Sequence, residues 1–125
     1  MATINNLPEA GSGGGTSGGT NNIEVCSLKF LNNTSGIIIY YTKYENNTIA
    51  TIREVLTNSP SVISNVICNS LLAVYLPRDY SMGATGNFIS YKEETSPTDM
   101  VNNRHVFYQL SSIPNETVQF SITKD

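Results

Sequence analysis

From Ile23 onward, apolar and polar residues either change places every second position or gather into short apolar runs, and no stretch keeps a 3.6-residue period. The final segment, "TVQFSITK", is the clearest case: Val118, Phe120 and Ile122 alternate with Gln119, Ser121 and Thr123, the pattern of a strand with one face buried and one wet. "RHVFYQL" likewise sets Val106, Tyr108 and Leu110 on one side, and "IEVCSLKFL" sets Cys26, Leu28 and Phe30. Ile23 and Val25 fall in the other phase, so a bulge is expected near Val25 and Cys26. "GIIIYYTKY" and "SLLAVYLP" are continuous apolar runs suited to central strands, or to strands with one face covered by a partner. "TIATIREVL", "SVISNVICN" and "NFISYKE" complete a set of about eight short strands. Turn signals separate them: "NNTSG", "ENN", "TNSP" and "SSIPNE", with two longer polar loops, "RDYSMGATG" and "ETSPTDMVNN". "TIREVL" could form one helical turn, but its Thr and Ile content favours a strand. The expected fold class is all-β: a single antiparallel β-sandwich of about seven to eight strands, immunoglobulin-like or jelly-roll-like.

Composition narrows the function classes. Charged residues make up 14 % of the chain and the net charge is −3. A nucleic-acid or anionic-membrane partner needs a basic face, and the seven Lys and Arg residues are scattered, so neither partner is expected. No apolar run reaches the roughly eighteen residues of a membrane-spanning helix. The first residues lack the basic and apolar segments of a secretory signal, so the chain is expected to be made in a cytoplasm. In that compartment Cys26 and Cys68 are expected to be reduced and buried, packing as small hydrophobes. No Cys/His cluster has the spacing of a zinc site. Seven tyrosines and four phenylalanines, with no tryptophan, are expected to supply the bulk of the core. Tyr40, Tyr41, Tyr44 and Tyr75 lie on strands and could also form a sugar-stacking platform.

Candidate catalysis finds little in the residues. The single histidine, His105, falls on the strand face opposite Val106 and Tyr108, and a Ser/His/Asp set could be assembled with Asp99, but no GxSxG elbow supports it. The acids sit mostly in turns and loops. The one tight acidic pair, in "KEE" at residues 92–94, reads as edge charge that discourages stray pairing. The glycine stretch "GSGGGTSGG" lacks the Lys and Ser/Thr of a phosphate loop. Asn-x-Ser/Thr triplets at Asn32, Asn33, Asn46 and Asn115 are what an asparagine-rich chain produces by chance. No catalytic, cofactor-binding or metal-binding residue is therefore expected, and the chain reads as a non-enzymatic structural or binding module.

The N-terminal segment differs from the rest. "ATINNLPEA" carries the apolar pair Ile4 and Leu7 and a stiffening Pro8, and nine residues rich in glycine follow it. Drawn out at about 3.3 Å per residue, those nine span roughly 30 Å; as a free coil their ends average about 15–18 Å apart. The expected organisation is an extended anchor peptide and glycine-rich tether over residues 1–22, followed by a β-sandwich domain over residues 23–125.

Ile4, Asn5, Asn6, Leu7, Pro8 and Ala10 match a short "I-[NS]-[DEN]-L-P-x-A" peptide, and in this the chain resembles tailed-bacteriophage virion appendage proteins of the head-fibre and auxiliary-capsid type. The β body is similar to immunoglobulin-like domains of phage structural proteins. The resemblance implies that these six residues are held by a capsid or other virion protein while the β domain is displayed outward, as a decoration protein or head-fibre anchor. It implies virion localisation after synthesis in a host cytoplasm. Self-association on the virion and glycan contact are further candidate interactions. The alternative expectation is a carbohydrate- or cell-surface-binding β-sandwich module, with affinity in loops such as "RDYSMGATG".

Overall fold

Among the described residues nine strands form, most of them runs rich in β-branched and aromatic residues stopped by a turn. They are β1 (Val25–Leu31), β2 (Ile37–Glu45), β3 (Thr48–Leu56), β4 (Ser61–Ile67), β5 (Leu71–Leu76), β6 (Tyr80–Thr85), β7 (Phe88–Thr95), β8 (Arg104–Leu110) and β9 (Thr117–Lys124). The structure is a computed structural model and describes residues 23–125 apart from 33, 35 and 58. Asparagine supplies much of the turn chemistry. Asn32, Asn46, Asn47, Asn65 and Asn115 all adopt positive φ, a region Asn tolerates better than other non-glycine residues. Asn46 and Asn47, both left-handed, make the two-residue hairpin between β2 and β3, where Glu45 pairs with Thr48. Three of the four Asn-x-Ser/Thr positions are thus turn residues.

The strands make one sheet in the order β6-β9-β1-β4-β2-β5-β8-β7, with β3 on the other side of β2. Pairing is antiparallel except between β1 and β9, which run parallel with Leu28 beside Val118 and Phe30 beside Phe120. The sheet folds over on itself at β2, whose Ile38–Tyr40 stretch pairs with β5 while Lys43 pairs with Val66 of β4. One layer is β6-β9-β1-β4 and the other is β3-β2-β5-β8-β7, a sandwich close to a barrel. Tyr108 of one layer meets Phe120 of the other edge-on at 5.4 Å, and Phe120 stacks on Phe30 at 4.9 Å. The first and last strands of the path, β6 and β7, are joined only by Gly86 and Asn87, so the chain crosses directly from one layer to the other. Gly86 is required there: its φ is +119°, and a Cβ would lie 3.2 Å from Val118 Cα.

The expected faces of β1, β8 and β9 are the observed ones. Cys26, Leu28, Phe30, Val106, Tyr108, Leu110, Val118, Phe120 and Ile122 are all buried. The two apolar runs, now β2 and β5, are indeed central strands. Three expectations need correction. The "RDYSMGATG" segment is not simply a loop: it contains β6, a ninth strand, in which Tyr80, Met82 and Ala84 pack against the core while Gly83 and Thr85 face out. Gly83 masks its strand character, and pairing to β9 from Tyr80↔Lys124 to Thr85↔Gln119 supplies what propensity does not. The bulge near Cys26 lies on the partner strand. Cys26 pairs with Val66 and Leu28 with Ile63, so β4 holds the extra residue, at Ser64 and the left-handed Asn65. That extra residue lets Ile63 and Val66 both point inward although three positions apart. Finally, the core is chiefly aliphatic: of the aromatic residues only Phe30, Tyr41, Tyr108 and Phe120 are buried in it.

Cys26 and Cys68 are free and buried. Their thiols hydrogen-bond to one another, and burial is the main cause that raises both above the ordinary thiol value, Cys68 to about 12.

Candidate functional site

Alternation that buries Ile39, Val74 and Val106 must turn their neighbours onto the outer face of the second layer. Tyr40 on β2, Tyr75 on β5, and His105 and Phe107 on β8 therefore share that face. They form a connected aromatic band. Tyr75 lies 5.5 Å from Tyr40, stacks on His105 at 4.4 Å, and meets Phe107 edge-on at 6.4 Å. A second bulge extends the band. Ser90 pairs with Tyr108 and Lys92 with Phe107, so Tyr91 is the extra residue of β7. As a result both Tyr91 and Lys92 reach Phe107, with the Tyr91 ring 5.9 Å away and the Lys92 ammonium 5.9 Å above the Phe107 ring. Tyr40, Thr42, Thr51, Leu71, Tyr91 and Phe107 line a groove of about 440 Å³ along this face.

Of the four strand tyrosines singled out by sequence, the structure separates Tyr41 from the rest. It points inward, and its hydroxyl donates to Glu54 Oε1 at 2.8 Å. Burial, reinforced by that carboxylate, pushes its phenol above the ordinary range. Tyr40 and Tyr75 join the outer band. Tyr44 sits near the hairpin and donates to Asn47 Oδ1 at 3.2 Å.

His105 and Asp99 do meet, but as a loop clasp. Asp99 accepts from the Asn102 N–H at 2.7 Å and from the Val101 N–H at 3.1 Å; with the His105 ring at 3.6 Å they hold its carboxyl below the ordinary value, the Asn102 N–H most of all. His105 Nε2 lies 2.7 Å from the Asn102 carbonyl, which fixes that nitrogen as a donor. The buried Asn102 side chain in turn donates to the carbonyls of Gly36 at 2.6 Å and Tyr75 at 3.2 Å. The geometry fastens the β7–β8 loop over the starts of β2 and the end of β5, and it leaves His105 Nε2 no free role as a base.

No family model, curated protein or solved structure matches the chain. Function is therefore read from residues and geometry alone. Among the described residues no group of three His, Cys, Asp or Glu side chains is placed to hold a metal ion. Ile4, Asn5, Asn6, Leu7, Pro8 and Ala10, the anchor residues expected from sequence, lie outside the described residues. The band and its groove are the feature sequence reasoning missed. Tyr40 and Tyr75 were legible as strand residues, but the Tyr91 bulge that completes the band leaves no local signature.

At one end of the sandwich, Arg104 gathers three elements. Its guanidinium donates to Ser81 Oγ at 2.9 Å and lies 3.4 Å from Asp125 and 3.6 Å from Glu93. Ser81 also donates to Asp125. The cluster ties β8 to β6, to β7 and to the residue after β9, and it is explained by closing that end of the fold.

Proposed function

We propose that this protein is a non-enzymatic structural component of a bacteriophage virion, anchored to the capsid by its N-terminal peptide and displaying the β-sandwich outward. The observation that carries the reading is the anchor-like set Ile4, Asn5, Asn6, Leu7, Pro8 and Ala10 ahead of a glycine-rich stretch. The architecture is compatible with it. The described core runs from Cys26 to Ile122, and β1 already has a neighbour on each side, β4 and β9. An arm with two apolar anchors gains little by itself against an ordering cost of about 1–2 kcal/mol per residue. Strand addition to a capsid protein and many copies on one particle would offset that cost.

The test is loading onto particles. Deleting residues 1–20 should abolish incorporation, and Ile4→Asp with Leu7→Asp should reproduce the loss, since charge does not enter an apolar groove unpaired. Normal loading of the deleted protein would overturn the reading.

A second reading, glycan contact by the displayed domain, is favoured by one observation: the outer aromatic band ending at the half-exposed Tyr91. Aromatic ring faces stack on sugar rings. Glycan-array binding that survives deletion of residues 1–20 and disappears in Tyr91→Ala would support it.

A further inference from the structure

β3 is a nine-residue strand with one side open. Among the described strands it pairs with β2 alone, along its whole length from Thr48↔Glu45 to Leu56↔Ile37. In an antiparallel ladder every second residue turns its N–H and C=O away from the partner, so β3 presents a row of such groups along its outer side. Edges of this kind are usually blunted by charge, proline, a bulge or short length. The opposite edge of the same layer, β7, has a bulge at Tyr91 and carries Lys92, Glu93 and Glu94. The edge of the other layer, β6, has six residues and contains Gly83. β3 has no proline, no bulge and only two charges, Arg53 and Glu54, which point to opposite faces.

Its side chains are self-complementary. The outer-face row is Ile49, Thr51, Arg53 and Val55, and the two apolar members are exposed, Ile49 at 44 % and Val55 at 41 %. A two-fold axis perpendicular to the sheet keeps each face on its own side, so the axis must pass through a residue. Centred on Ile52, the pairing of β3 with β3 of a second copy uses all nine residues. Val55 then faces Ile49, Arg53 faces Thr51, Glu54 faces Ala50, and Ile52 faces its counterpart. Each exposed apolar side chain gains an apolar partner, and no like charges stand opposite. Centring on Arg53 sets two guanidiniums face to face, and centring on Thr51 puts Val55 against the Asn47 turn. Only the Ile52 register satisfies length, apolar pairing and charge together.

We propose that two copies of this chain associate through β3, as an in-register two-fold antiparallel pair centred on Ile52. The pair joins the two β3-β2-β5-β8-β7 layers into one continuous sheet and sets the two aromatic bands on a shared outer surface. It is independent of the N-terminal anchor and of the virion reading. On a particle it would couple neighbouring displayed domains. A single strand pair belongs to the small, transient class of interfaces, so association is expected at about tens of micromolar chain and above.

Sedimentation velocity on the full chain, from about 5 to 500 μM, tests this. The mass should move from monomer toward dimer across that range. Ile49→Lys with Val55→Lys should raise the dissociation constant about tenfold or more while the thermal midpoint of the dilute monomer holds. The register has its own readout. Chains carrying Ile49→Cys and chains carrying Val55→Cys should form a disulfide-linked heterodimer when mixed under mild oxidation, and neither should cross-link efficiently alone. A monomer at every concentration overturns the proposal. So does unchanged dimerisation in the lysine variant, or cross-linking from Ile89→Cys on β7 as efficient as from the mixed β3 pair.

Discussion

β9 and β3 are of similar length and draw on similar residues, threonine, isoleucine and valine among them, yet they live in opposite surroundings. β9 has β1 on one side and β6 on the other. Its Val118, Phe120 and Ile122 are sealed between the layers. β3 has β2 on one side only; Leu56 is its one buried residue, and Ile52 is partly covered. Alternation is present in both. In β9 it decides which atoms leave water, whereas in β3 it decides which atoms remain for another surface to meet. The same period of two can therefore encode a core in one strand and an unfinished edge in another.

The largest effect that would sharpen this contrast is on β9. Phe120→Ala should cost about 3–5 kcal/mol, the usual loss for a large buried aromatic. Its loss leaves Phe30 without its ring partner and Tyr108 with Phe88 alone. Against a total stability of about 5–15 kcal/mol this approaches unfolding. Ile52→Ala on β3 should cost well under half as much, because less of that side chain leaves water. Urea titrations of the two variants compare them directly, and equal losses would break the distinction between the sealed strand and the edge.

The next effect concerns the loop clasp. Asn102→Ala removes the donor to the carbonyls of Gly36 and Tyr75, both at the margin of the second layer. Depriving these part-buried acceptors of their donor costs about 1–3 kcal/mol. This is a polar loss comparable to an apolar loss at β3 and below that at β9. If Asn102→Ala were silent in the same titration, the loop would not be held as the hydrogen bonds indicate.

Alkaline pH should act through groups behind the sealed strands. Cys68 and Tyr108 are both raised to about 12, chiefly by burial, and Tyr41 is raised as well. In the unfolded chain these groups ionise at their ordinary values. Raised folded values mean that the stability they confer is complete below the ordinary thiol range and is lost as the pH climbs toward the folded values. The denaturation midpoint should thus fall steadily above about pH 9. The same burial predicts that neither thiol reacts with a labelling reagent in the native protein at neutral pH, and that both react on unfolding. Prompt native labelling would contradict the packing around Cys26 and Cys68.

How much of this was legible in the sequence follows from what fixes each element. Val118, Phe120 and Ile122 declare their face because a central strand's burial pattern is written in its own side chains. β6 was hidden because Gly83 and Ser81 dilute Tyr80, Met82 and Ala84, and because its strand character comes from pairing with β9. The two bulges shift faces through a residue's lack of a partner across the ladder, a property of register that neither Asn65 nor Tyr91 announces. The aromatic band depends on the second of those shifts, so its completion at Tyr91 could not be read locally. The open side of β3 is likewise a fact of topology: nothing in "TIATIREVL" says that no described strand lies beyond it.

The smallest expected effect is the most discriminating for that edge. Ile49→Lys and Val55→Lys place charge on two exposed outer-face positions of β3, and in dilute solution each should change stability by no more than about 0.5 kcal/mol. Lysine keeps a long aliphatic stem that can lie along Thr51 and Tyr40 while its ammonium stays in water. The comparable change on β9, Phe120→Lys, would bury a charge with no partner and should prevent folding. Dilution matters to the design: at concentrations where β3 pairs with a second copy, the same lysines should lower the apparent midpoint by removing the association that supports the folded chain. A lysine penalty that grows with protein concentration marks β3 as an edge that meets its own copy. A penalty of about 2 kcal/mol or more already present in dilute solution would instead mean that Ile49 and Val55 are packed within the single chain, and the contrast with β9 would fail.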